Sequence, residues 1–449
     1  MSSPILVAGA TGYIASLLIP QLLESGYPVR AMARTPERLR KRKWYSQVEM
    51  VYGDVIAPET LAPALKGIHT AYYLIHNMSR GHGYADAEIE GARNFAQAAE
   101  TAGVQHIIYL GGLADPEQHI APHMRARIET GVTLRQGSVP VTEFRAGVVA
   151  GSGSISFEMI RFMTELMPII PGPVWLKNKS QPIAAQNVVD YLIAALTNPK
   201  GQGGVFEIGM PQILQYTDLM KLYATARGYK RKFIFLPFVP IWFMAFGIDL
   251  TTPVPYPIAY ALVGGLSNDS LILHETARKT FPEVKLIDYE SALARAMKRL
   301  HPLKIERVWD DGLSGVKILK HEGFFINHRA LEVNAPPEKL MEIVRRFDKN
   351  RNWIFANWLW RLRGLLEGRR NNFYEVEFEN KDHILFRSTL KAPGDGWMEW
   401  HVEGNMLNQT VYFAPRSLAG FLYWVLLTPF HSYLFHGLFK TIAKEAVVK

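Results

Sequence analysis

A short apolar strand, Ile5-Leu6-Val7-Ala8, runs directly into Gly9-Ala10-Thr11-Gly12-Tyr13-Ile14-Ala15, and a helical pattern continues from Tyr13 to Glu24. No other stretch limits the fold as much. Gly9 permits a tight turn out of the strand. Gly12 lets the backbone approach a pyrophosphate, and the small Ala15 lets the helix pack on the strand. The helix start presents unpaired N–H groups and a positive dipole to an anion. The motif therefore predicts a dinucleotide site built from Gly9, Thr11, Gly12, Tyr13 and Ile14. The competing reading is a tight strand–helix turn that holds nothing.

The context supports the first reading. Strand patterns recur at Val29–Ala33, Val48–Tyr52, Thr70–Ile75, His106–Leu110 and Val141–Arg145, with helical patterns at Glu59–Leu65, Asp86–Thr101 and Pro122–Arg135. Val- and Ile-rich strands separated by helices predict βαβ units, and right-handed crossovers make them a doubly wound parallel sheet. From Gly151 the alternation loosens. Helices at Ile155–Leu166, Gln186–Leu196 and Tyr216–Arg227 are expected to cover the carboxyl ends of the strands, where ligands bind in such sheets.

The second strand ends in Arg34, with Arg38 one turn later, and no carboxylate stands where a ribose 2′-hydroxyl would be held. A guanidinium suits a 2′-phosphate, so NADP(H) is expected over NAD. Arg40, Lys41, Arg42 and Lys43 read as a solvated basic helix face. After the third strand, Gly53-Asp54-Val55 offers a carboxylate for an adenine amino group; a turn aspartate capping the next helix fits the spacing equally well.

With 449 residues, two or three domains are expected, and the absence of cysteine excludes disulfides, thiolate metal sites and cysteine nucleophiles. The formal charge of +9 favours anionic partners. No secretory signal precedes Ile5, and a cytoplasmic protein is the simpler expectation. Two apolar stretches, Phe233–Ile248 and Phe421–Phe430, are too short to span a bilayer. A buried core helix is the expected reading for both, with a peripheral membrane or apolar-ligand contact as the minority reading. Nothing beyond basic charge points to nucleic acid.

A turn-rich linker at Trp309–Gly315 separates a region of different character. Strand patterns at Val316–Glu322, Phe325–Val333, Phe373–Glu379, His383–Leu390, Gly396–Val402 and Gln409–Phe413 surround a helix at Pro337–Phe347. A long helix closes the chain from Leu418 to Glu445, with a kink expected at Pro429. This predicts an α+β domain over 309–449 after an α/β domain over 1–308. Its many aromatic residues are expected mainly in the core. Arg361, Arg363, Arg369 and Arg370 are candidates for an acidic headgroup.

The motif at Gly9–Ala15, with Arg34, Asp54-Val55, Tyr109-Leu110-Gly111-Gly112-Leu113 and Gln181-Pro182-Ile183, resembles the atypical, NmrA-like branch of the extended short-chain dehydrogenase/reductases. Over nearly its full length the chain is similar to two-domain proteins in which such a Rossmann domain precedes a START-like (polyketide-cyclase-like) helix-grip domain. The matching stretches include Arg145-Ala146-Gly147, Ser156–Arg161, Trp358–Gly364, Phe413–Arg416 and Pro429-Phe430-His431. The segment between Gly364 and Phe373 is shorter than that pattern.

The resemblance implies an NADP(H)-binding, oxidoreductase-like protein acting on an apolar carbonyl, enone or quinone, or a non-catalytic redox sensor with an apolar-ligand domain. Active members of the superfamily carry a Tyr-x-x-x-Lys pair and a serine. Here the matching helix reads His119–Arg127 and has neither tyrosine nor lysine; the serine position falls in Gly111-Gly112. His123 and Arg127 are the positional candidates for proton transfer, and His123 as a structural residue is the other reading. His76 and Asn77 end the fourth strand near the expected nicotinamide ribose. His119 and His123 stand four apart, but no third ligand accompanies them, so no metal is expected.

Overall fold

The computed structural model describes residues 3–40, 42–76, 83–252, 254–305, 317–321, 324–349, 355–356, 358–359 and 373–447. The chain divides into two compact units, Met1–Thr164 with Pro168–Asp311, and Glu165–Met167 with Gly312–Lys449. The linker at 309–315, the four arginines from Arg361 to Arg370, and Asn77 lie outside the described residues.

The first unit opens with β1 (Ile5–Ala8), α1 (Tyr13–Glu24), β2 (Val29–Ala33), β3 (Glu49–Tyr52), α2 (Leu61–Leu65), β4 (Thr70–Tyr73), α3 (Tyr84–Thr101), β5 (His106–Gly112), α4 (Pro122–Arg135) and β6 (Val141–Ala146). It continues through α5 (Ile155–Leu166), β7 (Ile169–Pro173), α6 (Ala185–Thr197), β8 (Val205–Ile208), α7 (Tyr216–Ala226) and β9 (Lys232–Leu236). It closes with α8 (Ile241–Thr251), α9 (Tyr256–Gly265), α10 (Thr276–Thr280) and α11 (Tyr289–Lys298).

Seven strands form one sheet in the order β8-β6-β5-β4-β1-β2-β3, every pair parallel. All four residues of β1 are buried. Ile5 and Val7 enter one core with Leu18, Leu22, Val188 and Phe144, while Leu6 and Ala8 enter another with Phe95, Ala92 and Tyr73. A sheet covered on both faces needs such continuous apolar strands, which is why the alternation of strand and helix was readable.

Two expectations fail here. Phe233–Ile248 is not a buried helix. It divides into β9, paired in parallel with β7, and α8, whose Trp242, Phe243, Phe246 and Leu250 are exposed. Nor do Arg40, Arg42 and Lys43 form a solvated helix face. The chain turns between two 3-10 segments, Pro36–Leu39 and Tyr45–Gln47, and Arg42 is buried beside Trp44 in the chain.

The second unit contains β10 (Lys317–His321), β11 (Phe324–Glu332), α12 (Pro337–Lys349), β12 (Tyr374–Glu379), β13 (His383–Ser388), β14 (Gly394–Glu403), β15 (Met406–Pro415) and α13 (Leu418–Val447). Its strands form an antiparallel sheet in the order β10-β11-β15-β14-β13-β12. α13 lies on one face. Trp424 stacks on Phe413 at 5.0 Å and on Phe325 at 6.0 Å, and Phe439 stacks on Trp400 at 6.2 Å. By length and composition α13 would also span a membrane. Phe421 and Trp424 are buried, but Leu422, Val425 and Leu426 are exposed, so the core reading of Phe421–Phe430 holds for one side of the helix only. The helix is continuous through Pro429.

Because Trp400 faces α13, its neighbours Glu399 and His401 point to the opposite face. There Glu399 accepts a hydrogen bond from the Tyr412 hydroxyl at 2.7 Å and lies 2.7 Å from His383 Nε2. Arg329, two residues from Asn327 on β11, is buried; its Nη1 donates to Gln409 Oε1 at 3.1 Å, and its Nε and Nη2 have no hydrogen-bond partner. Burial pushes the guanidinium down to about 10, so it stays charged at neutral pH. A buried charge with no paired carboxylate among the described residues opposes folding. Replacing both partners, Arg329→Met with Gln409→Leu, is expected to stabilise the second unit by about 1–3 kcal/mol, read as a higher denaturant midpoint. A lower midpoint would refute it.

Candidate functional site

Strand order reverses between β1 and β4: β2 and β3 extend one way, β5, β6 and β8 the other. The carboxyl ends of β1 and β4 therefore flank a crevice, the place where open parallel sheets bind ligands. Gly9 sits there with φ +89°, and a Cβ on it would lie 2.7 Å from the Leu74 carbonyl oxygen that follows β4. The turn is held by Gly9 and Ala10 N–H groups donating to Met32 O at 3.2 and 3.1 Å, and by Gly12 N–H donating to Gly9 O at 2.9 Å. At the start of α1 the Gly12 N-cap supplies no side-chain cap, and the first turn carries no acidic residue. Ala15 is fully buried, as its packing role requires. Thr11 is exposed. This turn keeps backbone N–H groups and an uncompensated dipole directed outward, which fits a dinucleotide phosphate.

Arg34 follows the last residue of β2, and Arg38 lies in the next 3-10 turn; both side chains are exposed. Asp54 Oδ1 accepts from Ile56 N–H at 3.1 Å, and its backbone N–H donates to Thr60 Oγ1 at 2.9 Å. The carboxylate thus closes a turn on Ile56 ahead of α2; it does not cap that helix, whose N-cap is Thr60. Val55 is buried; its carbonyl accepts from Asn94 Nδ2 at 2.9 Å, and Gly91 lies close to its side chain.

Tyr13 and Ile14 line a cavity of about 250 Å³ that also takes in His76, His123 and Arg127. The dinucleotide turn and the catalytic candidates thus share one enclosure, although they are distant in sequence. α4 carries His123 and Arg127. It begins with Pro122 at the first helical position, where a missing N–H costs nothing. α4 is fixed to β6 through Glu143, which is fully buried, pairs with Arg135, and accepts from Arg145 Nε at 2.7 Å. Gly131 leaves room for that carboxylate. Sequence reasoning overlooked Glu143; the signal was a carboxylate inside a strand, between Val141 and Phe144, with Arg145 two residues on.

His123 is buried, and its Nδ1 has no hydrogen-bond partner. Burial, and then the charge of Arg127, push its pKa down to about 3. The same two causes, in the same order, hold His76 well below the usual histidine range. Both imidazoles are therefore neutral near pH 7. The His123 ring is closely approached by Gly265 of α9, where a Cβ would lie 2.7 Å from Cε1. His119 is exposed and precedes α4, so the two histidines do not share a helix face. At the expected serine position, a Cβ on Gly112 would lie 2.8 Å from Met124 Cε and 2.9 Å from Arg127 Cδ. The space a serine would use is filled by Met124 and Arg127.

The rest of the cavity wall is mostly apolar, with Ser154, Ser156, Asn268, Asp269 and Ser270 as its polar members. Met159 and Met163 of α5, Met220 of α7, Met244 and Ile248 of α8, and Val263 of α9 contribute to it. Methionine gives an adaptable lining. The sequence placed covering helices over the strand ends but did not identify α8 and α9 among them.

Residues 1–262 match the NmrA-like family, more than half of the chain. The chain belongs to the NmrA-like family. Residues 322–438 match a second family, a protein family of unknown function designated DUF2867. Among curated relatives, the photosystem II assembly factor Ycf39 of Trieres chinensis is 22% identical over 322 residues, covering 68% of this chain and 97% of its own length. The Citrobacter triphenylmethane reductase, solved in complex with NADP(H), has a TM-score of 0.53 at 21% identity and covers 65% of this chain and 99% of its own. An NADPH-dependent quinone oxidoreductase from Escherichia coli, solved with NADPH, has a TM-score of 0.53 at 18% identity, with the same coverage. These structures share the fold of the NmrA-like unit.

Proposed function

We propose that the NmrA-like unit binds NADP(H) and reduces an apolar acceptor, a carbonyl, enone or quinone, held in the cavity. The observation that carries this is the continuity of one pocket from Tyr13 and Ile14 at the dinucleotide turn to His76, His123 and Arg127, with mostly apolar walls beyond. Gly9, Thr11, Gly12, Tyr13 and Ile14 would hold the pyrophosphate, Arg34 and Arg38 the 2′-phosphate, and His76 would stand at the nicotinamide end. The bound cofactor supplies hydride. A neutral His123 is no store of protons at pH 7. Its role is to donate one N–H hydrogen bond to an acceptor oxygen while Arg127 provides positive potential for charge developing there, and solvent water supplies the proton that completes the reduction. The likeness to NADPH-using dye and quinone reductases supports this reading. For the second unit we propose a helix-grip ligand domain, supported by the antiparallel sheet packed against α13.

One observation favours a second reading, a redox sensor without turnover: no tyrosine–lysine pair stands on α4, and His123 is buried and uncharged. Titration of NADPH and NADH, followed by oxidation of bound NADPH against a quinone and enone panel, separates the two. NADPH-selective binding with acceptor-dependent oxidation supports the reductase; selective binding with no oxidation supports the sensor. Arg34→Ala is expected to weaken NADPH about 10-fold or more through loss of charge-assisted hydrogen bonds, and to leave NADH nearly unchanged. Equal losses would remove Arg34 from the site.

A further inference from the structure

The α8–α9 pair has apolar residues on both sides. Met244 and Ile248 of α8 and Val263 of α9 line the cavity. On the other side Trp242, Phe243, Phe246 and Leu250 of α8 and Tyr256 and Tyr260 of α9 are exposed. The β7–β9 ribbon leads into this surface. Its register alternates, so that Ile234 and Leu236 are exposed while Phe233 and Phe235 turn inward, and Ile169 opposite Lys232 is exposed too. Phe238, between ribbon and helix, is 81% exposed. Isolated exposed apolar residues need no explanation, but a run of this size does.

Charge accompanies the apolar residues. From residue 227 to 250 the chain carries Arg227, Lys230, Arg231 and Lys232 and a single carboxylate, Asp249, which accepts from Tyr256 N–H at 3.0 Å. Lys230 and Lys232 are exposed, and Lys232 shares the ribbon face of Ile234 and Leu236. Tryptophan and phenylalanine beside lysines is the composition of a surface that sits at the headgroup level of an anionic bilayer.

We infer that the β7–β9 ribbon and α8 dock on an anionic lipid bilayer, and that the cavity behind α8 takes its acceptor from that bilayer. One helix thickness, about 10 Å, separates the cavity from the docking surface. A membrane-dissolved lipophile, such as a long-chain quinone, then reaches the cavity without crossing water. This delivery rests on the reductase reading; the docking does not.

The chain has no cysteine, so single cysteines introduced at Phe238→Cys and, as a control on α3, Glu100→Cys accept an environment-sensitive dye cleanly. The full-length protein is floated with phosphatidylcholine vesicles with and without phosphatidylglycerol. Flotation with the anionic vesicles that weakens with salt, with a blue shift at 238 and none at 100, is expected. The triple variant Phe238→Ser/Trp242→Ser/Phe246→Ser should partition at least ~10-fold less, with NADPH titration unchanged. No flotation, or equal flotation of the variant, overturns the docking. So does a blue shift at 238 that grows with protein concentration without vesicles, which would mark a second copy on this face. With a quinone supplied in vesicles or in detergent, the variant should lose only the vesicle-borne rate; equal loss in both overturns the delivery route. Failure to bind NADPH would sink the reductase reading and leave the flotation result standing.

Discussion

Gly9→Ala should abolish selective NADPH binding and destabilise the first unit by about 2–4 kcal/mol, whereas Gly26→Ala should cost about 1 kcal/mol and leave binding intact. Both glycines have positive φ, +89° and +80°. They differ in what a side chain would meet. A Cβ on Gly26 meets nothing within 4 Å, but a Cβ on Gly9 lies 2.7 Å from Leu74 O and 2.9 Å from Leu74 C. Those are backbone atoms at the end of β4, and moving them moves the crevice. The alanine penalty for a left-handed backbone is common to both sites, so the difference between the variants isolates the collision. Isothermal titration with NADPH and urea unfolding measure the two effects. Equal destabilisation of the two variants, or retained NADPH affinity in Gly9→Ala, would show that the turn relaxes.

The same turn explains why so much of the first unit was legible. β1, β4 and β5 are buried, largely apolar runs bounded by helix patterns, and local sequence sets both. Arg34 and Gly9–Ala15 are read from position along that pattern. The cavity was less legible because its parts meet only through the crossover topology. His123 could be named from the sequence, but its depth against Gly265 and its uncharged state could not. The apolar run Phe233–Ile248 misled for a physical reason. Apolar content alone does not tell a core helix from a helix with one exposed face. In the second unit, β14 showed that Glu399 and His401 share a face. Which face it is depends on where α13 packs, and that is settled by Trp400 stacking on Phe439.

Acid should unfold the NmrA-like unit early, and the buried histidines set the window. Burial holds His106 down to about 4 and His123 down to about 3, with the neighbouring His69 and Arg127 as the second causes, and His76 is lowered in the same direction. In the unfolded chain each titrates near 6.5. Between about pH 6 and 4 the unfolded state therefore binds protons that the folded state refuses. Stability is complete above the unfolded value and is lost as pH falls. Each histidine contributes up to about 1.4 kcal/mol per pH unit in that window, so His106 and His123 together approach about 3 kcal/mol per unit. Urea midpoints from pH 7.5 to 5, followed on the transition that NADPH shifts, measure the slope. His123→Phe should remove one histidine's share of it, and Arg127→Met should reduce it further by removing the second cause at both His76 and His123. A midpoint that stays level from pH 7 to 5 would mean that His123 is charged in the fold. It would then be a proton donor at neutral pH after all, and the pH profile of acceptor reduction would show its ionisation. With His123 neutral, that profile carries no break near 6.5 from this residue.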